Sequence, residues 1–283
     1  YSTGNPISLR LGEKRLDETD ISVNSPASQL TFTRSYRQNR QSGASALTFM
    51  GLGWTHNHNI FVEDPGGNNP IKIHMGQGGI SLFKFVSAGT YAASLGSNSS
   101  LTLNAGTYVL TAADKSIYTF DVNKRLQSRQ WPSNEIWSYS YYTSVDGVDL
   151  DGRLKEVSDG YGRKLQFAYY RDTDPDTFRR RKLWRVGDHT ALNLSSPTPT
   201  GRYIELTYTR EHSNGLPVGS QVLLSGVRDV RGNTWSYEYF GKQVGESDPK
   251  LLNAFTKRST PPLSGGSGSI TLESLSYGTH QTE

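Results

Sequence analysis

Between Leu154 and Tyr169 apolar and polar positions follow a short, regular beat. Leu165, Phe167 and Tyr169 alternate with Lys164, Gln166 and Ala168, the period of a strand with one apolar face. Leu154 and Val157 mark a strand before it. Between the two lie Asp159, Gly160 and Gly162, turn residues that tolerate positive φ. The pattern predicts a β-hairpin, and it recurs. Leu224 opens a copy with Val227, Asp229 and Gly232, then Trp235, Tyr237 and Tyr239. Leu126 opens a poorer one, with Asn134 at the glycine offset and Trp137, Tyr139 and Tyr141 in its second strand. Leu183 opens a fourth, with Val186, Asp188, a widened turn, then Gly201, Arg202, Ile204, Leu206 and Tyr208. Leu252, Phe255, Leu275 and Tyr277 form a fifth and weaker copy, also widened. In the widened copies the distance from leucine to tyrosine grows from 15 to 25 residues, which places the added length in the turn, as in stacked repeat units.

Upstream, Leu30, Phe32 and Arg34 alternate with Thr31, Thr33 and Ser35, and Tyr36 follows, another strand. Arg37 to Ser45 reads as a polar loop, and Gly51-Leu52-Gly53-Trp54 as a tight bend delivering one large aromatic. From Thr55 to Asp121 a meander is expected, with strands at Asn59–Val62, Ile71–Met75, Ile80–Val86, Leu101–Leu103, Tyr108–Thr111 and Ile117–Phe120. The expected organisation is a cap for the first repeat at residues 1–60, a meander continuing the sheet at 61–121, and a hairpin array at 122–283. Ser264 to Ser269 is Gly/Ser sequence that its offset places in the last widened turn, as a surface loop.

Composition agrees with an all-β chain whose hairpins join into one continuous curved or spiralling sheet. Only 34% of the 283 residues are hydrophobic, but 16 Tyr, 10 Phe and 5 Trp supply apolar area on alternating positions. No long apolar stretch of helical period appears. A net charge of +4 without an evident basic face gives nucleic-acid binding little support. There is no cysteine, which excludes a disulfide framework and thiol chemistry and suits secretion. No apolar run approaches the roughly 20 residues that span a bilayer as a helix, so no membrane insertion is expected. A start at Tyr1 and an end soon after a repeat read as a piece of a longer chain or a processed product.

The grammar from Gly152, Gly-Arg-Leu-x-x-Val-x-Asp-x-x-Gly-Arg-x-x-x-Phe-x-Tyr, resembles the YD repeat of RHS proteins. The N-terminal third resembles the domain that precedes those repeats in bacterial RHS proteins. It does so through Gly4-Asn5-Pro6-Ile7-Ser8, Gly12-Glu13-Lys14, Glu18-Thr19-Asp20, Leu30 to Tyr36 and Gly51-Leu52-Gly53-Trp54-Thr55-His56-Asn57. The resemblance implies many hairpins spiralling into a hollow shell that sequesters a C-terminal toxic domain. No cleavage motif or toxin domain is recognisable here, so about five units imply a segment of a larger shell. Its partners would be the remainder of its parent chain, an encapsulated toxin domain, or further copies joined at open β-edges. A secreted or cell-surface location is implied, with a filament or adhesin subunit as one alternative and a carbohydrate-binding module using Trp137 or Trp235 as another.

No residue is assigned a catalytic, cofactor-binding or metal-ligating role. His56 and His58 would share a face if their stretch is a strand, but no third ligand stands at zinc spacing, and packing beside Trp54 is the expectation for His56. Asp172, Asp174 and Asp176 alternate as in calcium loops, yet Thr177 and Leu183 stand where an EF-hand needs Gly and Glu. Loose pairing of those carboxylates with Arg179, Arg180 and Arg181 in a solvated hairpin tip is expected instead. Asp159, Asp188 and Asp229 recur at one turn offset, which assigns them to Asx-type turn bonding. No nucleophile elbow, phosphate loop or His-Glu-x-x-His pattern occurs.

Overall fold

The computed structural model describes residues 7–8, 13–24, 28–37, 49–94, 97–211, 222–240, 254–260 and 270–274. The chain is built almost wholly of antiparallel strands in two layers. Strands β1 (Ile7–Ser8), β2 (Glu13–Val23), β3 (Leu30–Arg37) and β4 (Trp54–His56) form a small sheet in chain order. Seventeen further strands pair, each with the next, in one long sheet. Its first part is β5 (Phe61–Glu63), β6 (Ile71–His74), β7 (Ile80–Ser87), β8 (Thr90–Ala93), β9 (Ser100–Asn104), β10 (Thr107–Thr111) and β11 (Ile117–Phe120). The hairpins follow as β12 (Leu126–Gln130) with β13 (Ile136–Tyr141), β14 (Leu154–Asp159) with β15 (Lys164–Tyr169), β16 (Leu183–Asp188) with β17 (Tyr203–Thr209), and β18 (Leu223–Arg228) with β19 (Thr234–Phe240). Strands β20 (Ala254–Thr260) and β21 (Ile270–Ser274) end it.

The sheet is not closed into a barrel. No ladder joins β21 to β5 among the described residues. The meander does curl onto itself through one bridge between Phe61 and Arg125, the bond from the Val62 amide to the Lys124 carbonyl (2.9 Å), and the Tyr108 hydroxyl donating to Asp64 (2.8 Å). That curl buries Ile73, Phe83, Leu101 and Phe120.

Each hairpin repeats one local construction. At one offset its turn has a residue in the left-handed region, Asn134 (φ 65°), Gly162 (81°), Gly201 (84°) and Gly232 (85°), and the widened third turn adds Asn193 (56°). Asn and Gly pay least for that conformation, which is why the offset holds only those two types. In the third hairpin the Asp188 amide still bonds to the Arg202 carbonyl (3.1 Å), so its ten extra residues lie wholly within the turn. A bulge then sits at every junction between hairpins. Tyr141 pairs with Leu154, Tyr169 with Leu183 and Tyr208 with Leu224, each with a register shift immediately before the tyrosine. The extra residue on the following strand lets Leu154 and Val157, three apart, face the same layer.

The closing tyrosine also reaches back across its own hairpin. Tyr141 donates to the Leu126 carbonyl (2.8 Å), Tyr169 to Leu154 (3.1 Å), Tyr208 to Leu183 (2.6 Å) and Tyr239 to Leu224 (2.8 Å). One side chain therefore fixes the start of its own unit while its backbone fixes the start of the next.

Several expectations need correction. The strand expected at Asn59–Val62 begins at Phe61, because the Asn59 amide is turned back onto the His56 carbonyl (3.0 Å). Strand β8 was not anticipated, since four residues carrying only Tyr91 as a large apolar group give no periodic signal. The described part of the N-terminal block lies against a face of the array, through Phe32 and Trp54. Tyr239 pairs with Phe255, the position that leucine holds in the other junctions. Leu252, Leu275, Tyr277, the segment Ser264 to Ser269 and most of the loop from Arg37 to Ser45 lie outside the described residues.

Replacing Tyr169 or Tyr208 by Phe removes a buried donor and leaves a buried carbonyl short of a partner. Each change is expected to cost about 1–2 kcal/mol in urea unfolding, while Tyr161→Phe, on an exposed side chain, changes stability by less than about 0.5 kcal/mol. Equal effects at all three positions would show that the hydroxyl bonds do not hold the hairpins.

Candidate functional site

A hairpin sheet with aromatics on one face needs that face covered, and the small sheet covers it from β13 to β19. Phe32 meets Phe167 edge-on at 5.9 Å, Trp54 meets Tyr237 at 5.1 Å, and the Trp54 indole N–H donates to the Tyr239 hydroxyl (2.7 Å). Backbone bonds fasten the crossing: the Leu52 amide to the Val222 carbonyl (2.9 Å) and the Leu183 amide to the Phe49 carbonyl (2.7 Å).

At its centre is Arg34, fully buried on β3. Its guanidinium grips Asp20 through two nitrogens (2.5 and 2.9 Å), donates to Glu18 (2.7 Å) and donates to the Tyr237 hydroxyl (3.0 Å). Tyr237 in turn donates to Glu18 (2.6 Å), and Arg34 lies over the Trp54 ring at 5.2 Å. Burial works against the charge, yet Asp20 and Tyr237 outweigh it and hold the guanidinium's pKa above its ordinary value. Asp20 reaches Arg34 because the β2–β3 register shifts between Thr19 and Ile21. The expected Leu30–Phe32–Arg34 face is thus real, with an arginine in a core position. Sequence alternation could place Arg34 there but could not name its partners.

His56 and His58 are both core residues. His56 packs on Phe32 and Phe167 (5.4 and 5.6 Å), rather than on Trp54. His58 shares a close contact with the Thr31 carbonyl (2.7 Å) and packs on Trp137, Tyr139 and Phe167. Burial pushes the His56 imidazole down to about 3 and the His58 imidazole to about 4, so both are neutral near pH 7. No group of three or more His, Asp or Glu residues that could hold a metal comes together among the described residues.

The aspartate loop has its carboxylates occupied by arginine. Arg181 binds Asp172 (2.5 Å), and Arg179 binds Asp174 (2.7 Å) and Asp176 (3.2 Å) around a 3₁₀ turn at Thr177–Arg179. Arg180 instead donates to the Asp174 carbonyl (2.8 Å). The turn aspartates bond backbone amides: Asp159 those of Tyr161 and Arg163, Asp188 that of Thr190, and Asp229 those of Arg231 and Asn233, all within 2.8–3.0 Å. Trp137 is buried, with its N–H on Glu135 (3.1 Å) and its ring against Trp131, which leaves no open face for a sugar. Trp235 is half-buried.

Arg34→Met strands the carboxylates of Asp20 and Glu18 and is expected to cost about 3–5 kcal/mol in chemical unfolding. Lys164→Met, in a partly exposed pair with Glu156, costs under about 1 kcal/mol. The two histidines give a pH signature. Their folded-state values lie below the ordinary 6.5, so between 6.5 and 4 the unfolded chain binds more protons. Their contribution is whole above pH 6.5 and is lost on acidification, by up to about 1.4 kcal/mol per pH unit for each histidine. In the His56→Phe/His58→Phe double variant the stability profile over that window should flatten; an unchanged slope would place the acid sensitivity elsewhere.

Residues 4–83 match a family model described as a domain of unknown function, DUF6531, which covers the small sheet and the first strands of the long one. No curated protein matches the chain. Among solved structures, the N-terminal domain of effector protein SpvB from Salmonella typhimurium strain LT2 is similar at 14% identity and TM-score 0.43, over 78% of this chain and all of that one. The Tc holotoxin pore of Photorhabdus luminescens, carrying a TccC3 mutation, is similar at 12% identity and TM-score 0.45 over 92% of this chain. This chain spans only 16% of the chain matched there. A porin-like protein from Bacteroides uniformis is similar at 11% identity and TM-score 0.34. At such scores none of these likenesses tells what the chain does.

Proposed function

We propose that the chain is a wall segment of an RHS-type YD-repeat scaffold, in a secreted or cell-surface protein, with no chemistry of its own. The observation that carries the reading is the recurrence of one joint: a closing tyrosine bonded to its own unit's leucine and paired across a bulge with the next unit's opening residue. A joint that repeats without change is what an extendable wall needs, because each unit contacts chiefly its neighbours. The turn aspartates are spent on backbone amides. No helix of the described residues is long and apolar enough to cross a membrane. In this reading the parent chain continues the wall, and a toxic domain is the cargo it would enclose.

A second reading rests on a separate observation. Strand β21 pairs only with β20 among the described residues, and an edge left open there would offer main-chain donors and acceptors. Copies joined there would make a filament or adhesin.

Two further hairpins of the same grammar, joined after residue 274, should extend the sheet. The added four strands lengthen it by roughly 19 Å along the ribbon, at about 4.8 Å per strand, which small-angle scattering would register as a larger maximum dimension. No growth, or a turnover abolished by one substitution, would remove the wall reading. The filament reading instead requires species that grow with concentration, and monodisperse monomers throughout would count against it.

A further inference from the structure

Three of the chain's six histidines, His56, His58 and His74, line a single cavity of about 330 Å³. It lies where the small sheet hands over to the long one, walled by Phe49, Phe61 and Tyr169, with Arg125 and Tyr141 also in its lining. Among the described residues no carboxylate lines it. Arg125 and Tyr141 also line an adjoining, more polar recess, so the guanidinium stacked on the Tyr141 ring at 4.6 Å stands at the boundary between the two.

Two donors there are unspent. Arg125 uses Nε and Nη2 on Asp121 (2.9 and 2.8 Å). Its Nη1 has no hydrogen bond among the described residues and lies beside Gly152, where a Cβ would stand 3.6 Å from it; Gly152 lines both spaces. His56 accepts from the His58 amide at Nδ1 (3.3 Å), which puts the proton of its neutral ring on Nε2. That N–H has no acceptor among the described residues, although the side chain is 96% buried at 4% relative exposure and lines the cavity. The other two imidazoles are spent, His58 on Thr31 and Tyr139 and His74 on Glu63 (2.7 Å) while stacked on Phe61 at 4.3 Å.

We propose that this cavity is a binding site for a small aryl acid, with its anionic group at Arg125 Nη1, its ring among Phe49, Phe61 and Tyr169, and a ring hydroxyl accepting from His56 Nε2. A cavity of roughly 150 Å³ holds benzene, so the space here fits one substituted ring with its side chain. Apolar walls with few convergent polar groups are what small-molecule sites present. Among the described residues the lining carries Lys124 and Arg125 and no carboxylate, with Asp151 in the adjoining recess, and this balance selects an anion over a cation. Such an acid could be free or could be the C-terminal aromatic residue of a peptide, since both offer the same ring and carboxylate.

Titration calorimetry with 4-hydroxyphenylacetate, phenylacetate, 2-(4-hydroxyphenyl)ethanol, acetate and N-acetyltyrosine tests this. The hydroxylated acid is expected to bind at least about tenfold more tightly than the alcohol or acetate. Arg125→Gln erases the preference for acid over alcohol, and Arg125→Lys retains it. His56→Phe erases the preference for 4-hydroxyphenylacetate over phenylacetate and leaves the acid preference in place. Tighter binding of N-acetyltyrosine assigns the site to a peptide terminus, and weaker binding to a free acid. No binding up to about 10 mM, or preferences unchanged in variants whose near-ultraviolet circular dichroism matches the parent, would overturn the proposal.

Discussion

The structure depends on one bifunctional residue per hairpin. A hairpin alone is marginal in water, and sheets whose register is weakly specified slip. The closing tyrosine removes that freedom twice over. Its hydroxyl ties the second strand to the first residue of the unit, and its backbone meets the next unit's opening residue across a bulge. Because the bulge inserts one residue on the following strand, pairing without it would put Leu183 and Val186, three apart, on opposite faces. Register is therefore locked by side-chain chemistry and by the hydrophobic pattern together, at the same place in each unit.

A sheet locked this way has an aromatic face, and the face determines the second layer. Phe167, Tyr237 and Tyr239 offer rings and hydroxyls at different points along the array, and the small sheet answers each with its own group: Phe32, Arg34 and Trp54. The answer at Arg34 is a buried ion network, which adds little net stability over an apolar replacement but strongly penalises a wrong match. Ridges of Phe and Leu would tolerate sliding of one layer over the other. A guanidinium that must find Asp20, Glu18 and Tyr237 together does not.

What could be read from the residues follows from which forces are local. The hairpins were legible because turn chemistry and alternation act within a few positions, as with Gly162 beside Leu165, Phe167 and Tyr169. Even the widened turn of the third unit could be located, since its flanks kept their offsets. The bulges were hidden. Leu154 and Val157 are three apart, and a strict period of two assigns them to opposite faces; only the paired neighbour reveals the extra residue. The place of the N-terminal block was also hidden, because residues that cap an edge and residues that cover a face alternate alike. His56 read as a candidate ligand or a packing group, and which aromatics it touches is fixed by Phe32 and Phe167, over a hundred positions apart in the chain. The Arg125–His56 cavity left no sequence trace, as its walls come from seven separated stretches between Phe49 and Tyr169.

The first hairpin shows where the repeat rule is relaxed and what that implies. At the positions held by Val157, Val186 and Val227 it has Arg129, and at those held by Asp159, Asp188 and Asp229 it has Trp131. Arg129 lies over the rings of Trp131 and Tyr118, and the Arg129 Nε and Trp131 Nε1 atoms are buried without a hydrogen-bond partner. Its turn keeps the left-handed residue, Asn134, and its tyrosine keeps the bond to Leu126. The joint is thus retained where the inward-facing residues are not. Those residues have a different neighbour here: His58 and Tyr139 meet above the hairpin, and the curled meander begins beside it. The joint and the covered face are therefore separable in this chain: one rule of bulge and tyrosine bond is kept while the inward-facing residues change from unit to unit.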